Sequence, residues 1–367
     1  MSIVFKHKNV AFSLSVSEIE NEDLQVKIYN ALKDFFKGFI GSNSEPIALE
    51  FVFTDNINSF ITDQEFVRVK NVKVGKNQTH FKDGELNFLI NNSNKFKVYI
   101  NVYDNETLKS SLRIFNKAFK NNIELQITTF YYRLFLLFTQ IWNLENDSSY
   151  IHASAIEVNG ESILFTADSG VGKSSLLFKL SQQNNYKFIA DDLTILSEKA
   201  ESYYQGRCLS VKPYHLSFYN FLSDKLSLLM SKFQKLQWKT LKDNRLTYRI
   251  SPTDLFANIS EKSKVKRIIH LCNHDKNTFE IKDITSEELI GFTIPILTNE
   301  LFLANHKVNT LASLPESSFQ PTAKIYKASQ GVFSSAFKNL SLKLVFVPYM
   351  SDPNDLYDFL KNKGCLN

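Results

Sequence analysis

The spacing of apolar positions changes several times along the 367-residue chain. Residues 1–16 alternate between apolar and polar side chains as a β-hairpin does, and residues 19–40 carry apolar side chains at helical spacing. Strand patterns follow at 46–54, 65–74, 80–90 and 96–102, and a helical pattern covers 105–119. The first 125 residues are therefore predicted to form an α+β module.

Beyond residue 125, predicted helices and strands follow one another more regularly. Helical patterns occur at 126–144, 216–241 and 352–361, and strand patterns at 150–158, 163–166, 187–190 and 341–347. Such alternation is typical of an α/β sheet. The polar run Lys120-Asn121-Asn122 separates the two parts, so two domains are predicted, at 1–125 and 126–367.

A glycine-containing loop lies between the strand at 163–166 and a helix that begins near Lys173. Residues 167–174 read Ala-Asp-Ser-Gly-Val-Gly-Lys-Ser, which matches the phosphate-binding pattern Gly-x-x-x-x-Gly-Lys-[Ser/Thr] except that Ala167 stands in the first glycine position. Alanine is small but adopts fewer backbone conformations than glycine. Only eleven glycines occur in the chain, and Gly160, Gly170 and Gly172 are three of them, which indicates a local backbone requirement.

This loop predicts a site for ATP and Mg²⁺. Its backbone N–H groups and the positive end of the following helix would bind phosphate oxygens. Lys173 would reach the β- and γ-phosphates, and the Ser174 hydroxyl would bind the metal. The predicted nucleotide contacts are Asp168, Ser169, Gly170, Val171, Gly172, Lys173, Ser174 and Ser175.

Two carboxylates and a histidine are predicted to lie near the loop. Asp191 and Asp192 end the strand at 187–190, which is predicted to be the next parallel strand, and ligands bind at the carboxyl edge of such sheets. Close carboxylates raise one another's pKa, which suits a general base; a solvated acidic turn is the alternative. His152 lies on a strand that the Asn159-Gly160 turn joins to the loop strand. It would contact metal or phosphate, or serve a structural role.

These segments together resemble the catalytic core of HPr kinase/phosphorylase and, more distantly, ATP-dependent phosphoenolpyruvate carboxykinase. The residues that carry the resemblance are His152-Ala153-Ser154-Ala155, the Asn159-Gly160 turn, residues 168–174 and Ile189-Ala190-Asp191-Asp192. The resemblance continues more weakly over about 130 to 350, where it implies a further core strand at 265–272 and a closing helix at 286–297. It implies an α/β fold with a P-loop kinase core, preceded by the N-terminal α+β module.

The resemblance also implies roles for individual residues. Asp191 would exchange a proton with the acceptor hydroxyl, and Lys173 would neutralise charge on the phosphates. Ser174 and Asp192 would bind Mg²⁺, and His152 would contact metal or phosphate. A further cation is expected to stabilise the transferred group, with Arg245, Arg249, Lys266 and Arg267 as candidates.

Composition and charge limit the cellular compartment and the classes of partner that are expected. The net charge of +5 is too small to predict a nucleic-acid partner. Three scattered cysteines (Cys208, Cys272 and Cys365) predict neither a disulfide framework nor a zinc site, and favour a reducing cytoplasm. The start of the chain lacks the pattern of a signal peptide. The most apolar run, 130–144, is too short and too polar to predict a membrane span.

The function predicted on these grounds is an ATP-dependent kinase. The acceptor would be a hydroxyl group, either a serine of a protein or peptide or a hydroxyl of a sugar or other small molecule. Residues 1–125 would bind the acceptor or act as a scaffold. The main alternative is a scaffold or switch that binds ATP without catalysis. A carboxykinase is disfavoured because no oxaloacetate-binding part is recognisable, and a GTPase because no Asn-Lys-x-Asp motif occurs.

Overall fold

The structure, a computed structural model, describes residues 1–42, 44–83, 86–104, 122–241, 247–305 and 307–367. Its strands are β1 (Ser2–His7), β2 (Val10–Glu18), β3 (Ile47–Thr54), β4 (Val67–Val69), β5 (Val72–Val74), β6 (Gln78–Asp83), β7 (Leu86–Asn91), β8 (Asn94–Asn101), β9 (Ser148–Ile151), β10 (Ala153–Val158), β11 (Glu161–Thr166), β12 (Lys187–Ala190), β13 (Thr194–Ser197), β14 (Glu201–Tyr203), β15 (Leu209–Val211), β16 (Tyr248–Ile250), β17 (Lys262–His274), β18 (Glu280–Asp283) and β19 (Ser341–Pro348). The predicted helix at 105–119 lies outside the described residues.

The helices connect these strands and cover the sheets. They are α1 (Glu22–Phe35), α2 (Asn122–Phe130), α3 (Leu136–Glu145), α4 (Lys173–Leu180), α5 (His215–Phe218), α6 (Asn220–Leu229), α7 (Lys232–Leu241), α8 (Pro252–Leu255), α9 (Ser286–Glu300), α10 (Phe302–Asn305), α11 (Val308–Ala312), α12 (Thr322–Ala336) and α13 (Pro353–Asn362). No helix in the described part of the chain combines the length and the apolar character that crossing a membrane requires.

Two compact units make up the described chain. The first contains residues 1–149 and 297–331, and the second contains residues 150–296 and 332–367. Each unit is built on a large mixed sheet, so the protein is a mixed α/β protein. The predicted division into domains of 1–125 and 126–367, and the roles given to them, stay predictions.

The sheet of the first unit has the strand order β1-β2-β3-β8-β7-β6-β5-β4. The predicted hairpin at its start is confirmed, because β1 and β2 pair antiparallel. The predicted single strand at 65–74 is wrong. It is two short antiparallel strands, β4 and β5, and the chain turns between them where Lys70 has a φ of 52°.

Phenylalanine side chains join α2 and α3 to the sheet of the first unit. The Phe51 ring of β3 lies 5.0 Å from Phe130 and 6.1 Å from Phe138, measured between centroids. One π-helical turn, Tyr131–Phe135, links the two helices, and Phe135 is fully buried. The segment was predicted to lead into the second domain, but this aromatic packing places it in the first unit, since rings at such distances stabilise one another beyond the area that they bury.

A buried histidine makes the first unit sensitive to acid. His7 of β1 is 4% exposed, and its Nε2 donates to Asn143 Oδ1 at 2.9 Å. The ring also stacks on Phe12 at 4.1 Å. Burial is the largest of the effects that lower the pKa of His7 to about 3.

We expect His7→Gln to reduce the loss of stability in acid. The unfolded chain binds a proton on His7 below about pH 6.5, whereas the folded protein does not until about pH 3, so stability falls as the pH drops through that window. The wild type should lose up to ~1.4 kcal/mol per pH unit more than the variant. Urea unfolding followed by tryptophan fluorescence at pH 7 and 4.5 measures this difference, and equal pH dependence of the two proteins would contradict it.

The sheet of the second unit places the candidate loop near its centre. Its order is β12-β10-β11-β17-β14-β13-β9, and β19 pairs with both β17 and β18. The strands β11, β17 and β19 are parallel neighbours. The strand β12 was predicted to be the next parallel strand, but β10 lies between it and β11 and is antiparallel to both. Since two reversals restore the direction, β11 and β12 still end at the same edge.

The predicted helix at 216–241 is interrupted twice in the second unit. The backbone leaves the helical conformation at Tyr219 and again at Met230, which separates α5, α6 and α7. Both side chains are buried, and the Tyr219 hydroxyl donates to the Ser175 carbonyl at 2.8 Å. The spacing of apolar residues does not reveal such tertiary contacts. Here they stabilise the folded chain more than an uninterrupted helix would.

Candidate functional site

The loop between β11 and α4 needs glycine at two positions. Gly170 and Gly172 have φ values of 89° and 111°, in the region that L side chains rarely adopt. A Cβ atom at Gly172 would lie 3.8 Å from Leu356 Cδ2, an ordinary contact, so the backbone angle and not the space requires glycine. Ala167 is fully buried and does not have a positive φ, which explains why alanine is tolerated in the first glycine position.

Lys173 lies folded over this loop. Its Nζ donates to the carbonyl oxygens of Ala167 at 2.8 Å and Asp168 at 3.1 Å, and the residue is 6% exposed. Gly172 caps the helix α4, which begins at Lys173 itself. The cation and the N-terminal N–H groups of the helix are therefore together at the loop, which is an arrangement that binds phosphate.

The remaining predicted nucleotide contacts are divided between the surface and the interior. Asp168, Ser169 and Gly170 are exposed, and the Ser169 backbone N–H donates to Asp168 Oδ1 at 2.7 Å. Val171 and Ser174 are half-buried. Ser175 is buried, and its carbonyl accepts the Tyr219 hydrogen bond, so it supports the start of the helix from inside.

Asp191 is the buried member of the carboxylate pair. It follows β12 directly and is 5% exposed. Its Oδ1 accepts from Ser154 of β10 at 2.7 Å, and the Ser174 hydroxyl lies 3.2 Å from both of its oxygens. Burial, and then the negative charge of Asp192, raise the pKa of Asp191. The structure thus brings a proton-accepting carboxylate to the loop serine.

Asp192 points elsewhere because its backbone is left-handed, with a φ of 72°. Its Oδ2 accepts from Arg207 Nη1, and its Oδ1 lies 3.7 Å from His152 Nδ1. Burial alone would raise the pKa of Asp192, but the positive charge of Arg207, followed by His152 and Lys173, outweighs burial and lowers it. The pKa values of the two neighbouring carboxylates are therefore shifted in opposite directions, a difference of the kind that lets paired carboxylates take different roles.

His152 lies beneath the pair and is 1% exposed. Burial, followed by the charge of Lys173, lowers the pKa of His152 to about 4. The imidazole is consequently neutral at pH 7, the form in which histidine ligates metals.

Oxygen ligands dominate this cluster, and they suit a hard cation. The Ser174 hydroxyl and the carboxylates of Asp191 and Asp192 are the donor types that Mg²⁺ prefers, usually as one or two carboxylates beside substrate phosphates. The residues that are present therefore fit Mg²⁺ bound with a nucleotide.

Sequence reasoning missed two residues of this site. Arg207 lies in the segment between β14 and β15, and no local pattern sets it apart from the other arginines. His270 lies on β17 opposite Thr166, and Thr166 Oγ1 is 2.9 Å from its Nδ1. Burial, and then Lys173, lower the pKa of His270 to about 4, so it is neutral too. The parallel register of β11 and β17 brings it to the loop, and a sequence does not show that register.

Two of the cations predicted from sequence, Lys266 and Arg267, are not brought to the loop. Lys266 pairs with Glu161 at 3.0 Å, and Arg267 donates to the Gly364 carbonyl at 2.7 Å. Both lie toward the beginning of β11, because Arg267 is in register with Ile163. Arg249 lies on β16, which pairs with β15 in a separate two-stranded sheet, and Arg245 lies outside the described residues.

Comparison with known proteins gives a distant likeness of fold. No protein-family model matches this chain, and no curated protein proved similar to it. Among solved structures, the HPr(Ser) kinase/phosphatase from Coxiella burnetii is similar with 9% sequence identity and a TM-score of 0.27, over 59% of this chain and 95% of that one. A likeness of this size says nothing about the chemistry of the site.

Proposed function

We propose that this protein is an ATP-dependent kinase that transfers the γ-phosphoryl group to a hydroxyl acceptor. One observation carries the proposal: the Ser174 hydroxyl at the start of the loop helix lies 3.2 Å from a buried carboxylate, Asp191, whose pKa is raised. A loop that suits phosphate and a base that suits a hydroxyl proton therefore meet at one point.

The phosphate end of the nucleotide would bind to the loop and its helix. The backbone N–H groups around Gly170 and Gly172 would donate to phosphate oxygens, as helix N-termini do in general. Lys173 would exchange its bonds to the Ala167 and Asp168 carbonyls for bonds to the phosphates, which keeps its charge beside theirs. Ser174, Asp192 and His152 would hold Mg²⁺, which would supply positive charge against the phosphate oxygens.

Asp191 would act on the acceptor. It would take the proton of the acceptor hydroxyl while the oxygen forms its bond to the γ-phosphorus and the bond to the β–γ bridging oxygen breaks, so that ADP leaves. A raised pKa brings the carboxylate closer to the proton affinity that this step needs. The hydrogen bond from Ser154 would hold the carboxylate in place.

The acceptor belongs to one of two chemical classes, a serine in a protein or peptide, or a hydroxyl of a sugar or other small molecule. The polar groups of the site recognise a hydroxyl in either class. Acceptor binding or scaffolding by residues 1–125 is part of the same proposal.

Labelling with γ-phosphate-labelled ATP tests the proposal. The purified protein should transfer label to one component of a lysate from its source, and the transfer should depend on Mg²⁺ and stop when a chelator is added. Separate fractions of protein and small molecules identify the acceptor class. A protein that binds Mg·ATP in calorimetry but labels nothing in either fraction would instead be an ATP-binding scaffold or switch.

A further inference from the structure

Arg207 is a cation at the carboxylate pair that the roles above leave unused. Its Nη1 donates to Asp192 Oδ2, and its side chain is 17% exposed. The guanidinium is thus mostly withdrawn from solvent, where an ion pair is screened less than at the surface.

The segment that carries Arg207 is anchored to the strand that ends at the aspartates. The Gln205 backbone N–H donates to the Ile189 carbonyl at 2.9 Å, and its side-chain Nε2 donates to the Tyr150 hydroxyl at 3.1 Å. Gln205 is 2% exposed. These bonds fix the backbone two residues before Arg207, so the guanidinium is directed to the site by the fold.

The charge of Arg207 acts on the whole cluster. Its guanidinium is hydrogen-bonded to one oxygen of Asp192, and the other oxygen of that carboxylate lies 3.7 Å from His152 Nδ1. A metal bound by Asp192 and His152 would lie next to the guanidinium of Arg207. Two cations would then compete for one carboxylate, Asp192.

We propose that Arg207 exchanges partners during the reaction, a proposal that rests on the kinase function above. Without metal it neutralises Asp192. When metal takes that carboxylate, the guanidinium is released and binds the γ-phosphoryl group, whose oxygens it neutralises during transfer.

Physical chemistry favours such an exchange. A buried carboxylate, Asp191, and a half-buried one, Asp192, lie side by side and are costly without a cation, so a resident arginine stabilises the site before ligands bind. The planar guanidinium matches phosphate as well as carboxylate geometry, and arginine cannot lose its proton. A metal and Lys173 would neutralise only part of the negative charge on the γ-phosphoryl group. The released guanidinium of Arg207 would bind the charge that is left.

Mn²⁺ titration without nucleotide, followed by water-proton relaxation, tests the competition directly. Arg207→Ala should bind Mn²⁺ about tenfold more tightly than the wild type, because no resident cation has to leave. Mn²⁺ should also raise the Tm of the variant more than that of the wild type. Arg207→Lys should lie between the two. Lys262→Ala removes an equal charge from the surface pair with Glu201 and should leave Mn²⁺ affinity unchanged.

The contact between the released Arg207 and the γ-phosphoryl group is tested separately, by the rate of transfer. At saturating Mg·ATP, Arg207→Ala should lower kcat about 100-fold or more, as loss of a charge-stabilising group does, whereas Lys262→Ala should not. Unchanged or weaker Mn²⁺ binding by Arg207→Ala would overturn the competition, and an unchanged kcat would overturn the contact with the phosphoryl group. If no acceptor is labelled by the wild type, the kinase function fails, while the metal titration still decides whether Arg207 competes for Asp192.

Discussion

Lys173→Ala is expected to reduce phosphoryl transfer to background, with a loss of about 100- to 1,000-fold or more. The side chain lies against the loop backbone, since its Nζ bonds two of the loop carbonyls. Its removal takes one positive charge away from the phosphates. Label transfer from γ-labelled ATP and calorimetry with Mg·ATP measure the two consequences, and the affinity for Mg·ATP should fall as well.

Lys179→Ala is the matched control for this substitution. Lys179 lies on the same helix, and its Nζ lies 5.6 Å from the centroid of the Tyr357 ring, away from the loop. This variant should bind and transfer like the wild type. Circular dichroism should show that both variants are folded. Transfer by Lys173→Ala at the rate of Lys179→Ala would exclude the loop as the site of phosphoryl transfer.

Asp191→Asn is expected to separate binding from chemistry. The amide keeps an oxygen that accepts from Ser154 and Ser174, so the site keeps its shape, but it cannot take a proton from a hydroxyl. Transfer should fall about 100- to 10,000-fold, which is the usual contribution of a general base. Mg·ATP affinity, measured by calorimetry, should stay within about threefold of the wild type.

Asp192→Asn is the companion variant, because it changes the same functional group one residue later. It should weaken Mn²⁺ binding, whereas Asp191→Asn should not. The same titration tests the opposite assignment, because the Ser174 hydroxyl lies 3.2 Å from both oxygens of Asp191. Weaker Mn²⁺ binding by Asp191→Asn, with transfer retained at high metal, would assign the metal to Asp191 and remove it from the role of base.

Much of the local structure follows from short-range physical chemistry. The loop at 167–174 was predicted because its glycines, its lysine and the apolar spacing of its flanking elements lie within a few residues of one another. The glycines do adopt positive φ, and α4 begins at Lys173 as predicted. Likewise, the short run of strand-forming residues at 163–166 predicted β11 before the order of the sheet was known.

Tertiary contacts decide the structure where distant segments compete with local preference. The predicted helix at 216–241 is interrupted because Tyr219 is held by the backbone of another helix. The segment at 126–144 packs its phenylalanines in the first unit, although its own apolar pattern is equally compatible with packing against the second. An apolar pattern predicts that one face of a helix is buried, but it does not predict which other part of the protein packs against that face.

The amino-acid order alone was sufficient to place the glycine-containing loop and the adjacent aspartates at the ends of their strands, because backbone angles and strand ends depend on neighbouring residues. The partners of these residues required the tertiary fold. Arg207 and Asp192 are 15 residues apart and separated by two strands, and His270 meets Thr166 across 104 residues. Electrostatic effects act through space, so only the folded chain decided the difference between the pKa values of Asp191 and Asp192. Burial raises the pKa of Asp191, whereas the positive charge of Arg207 lowers that of Asp192.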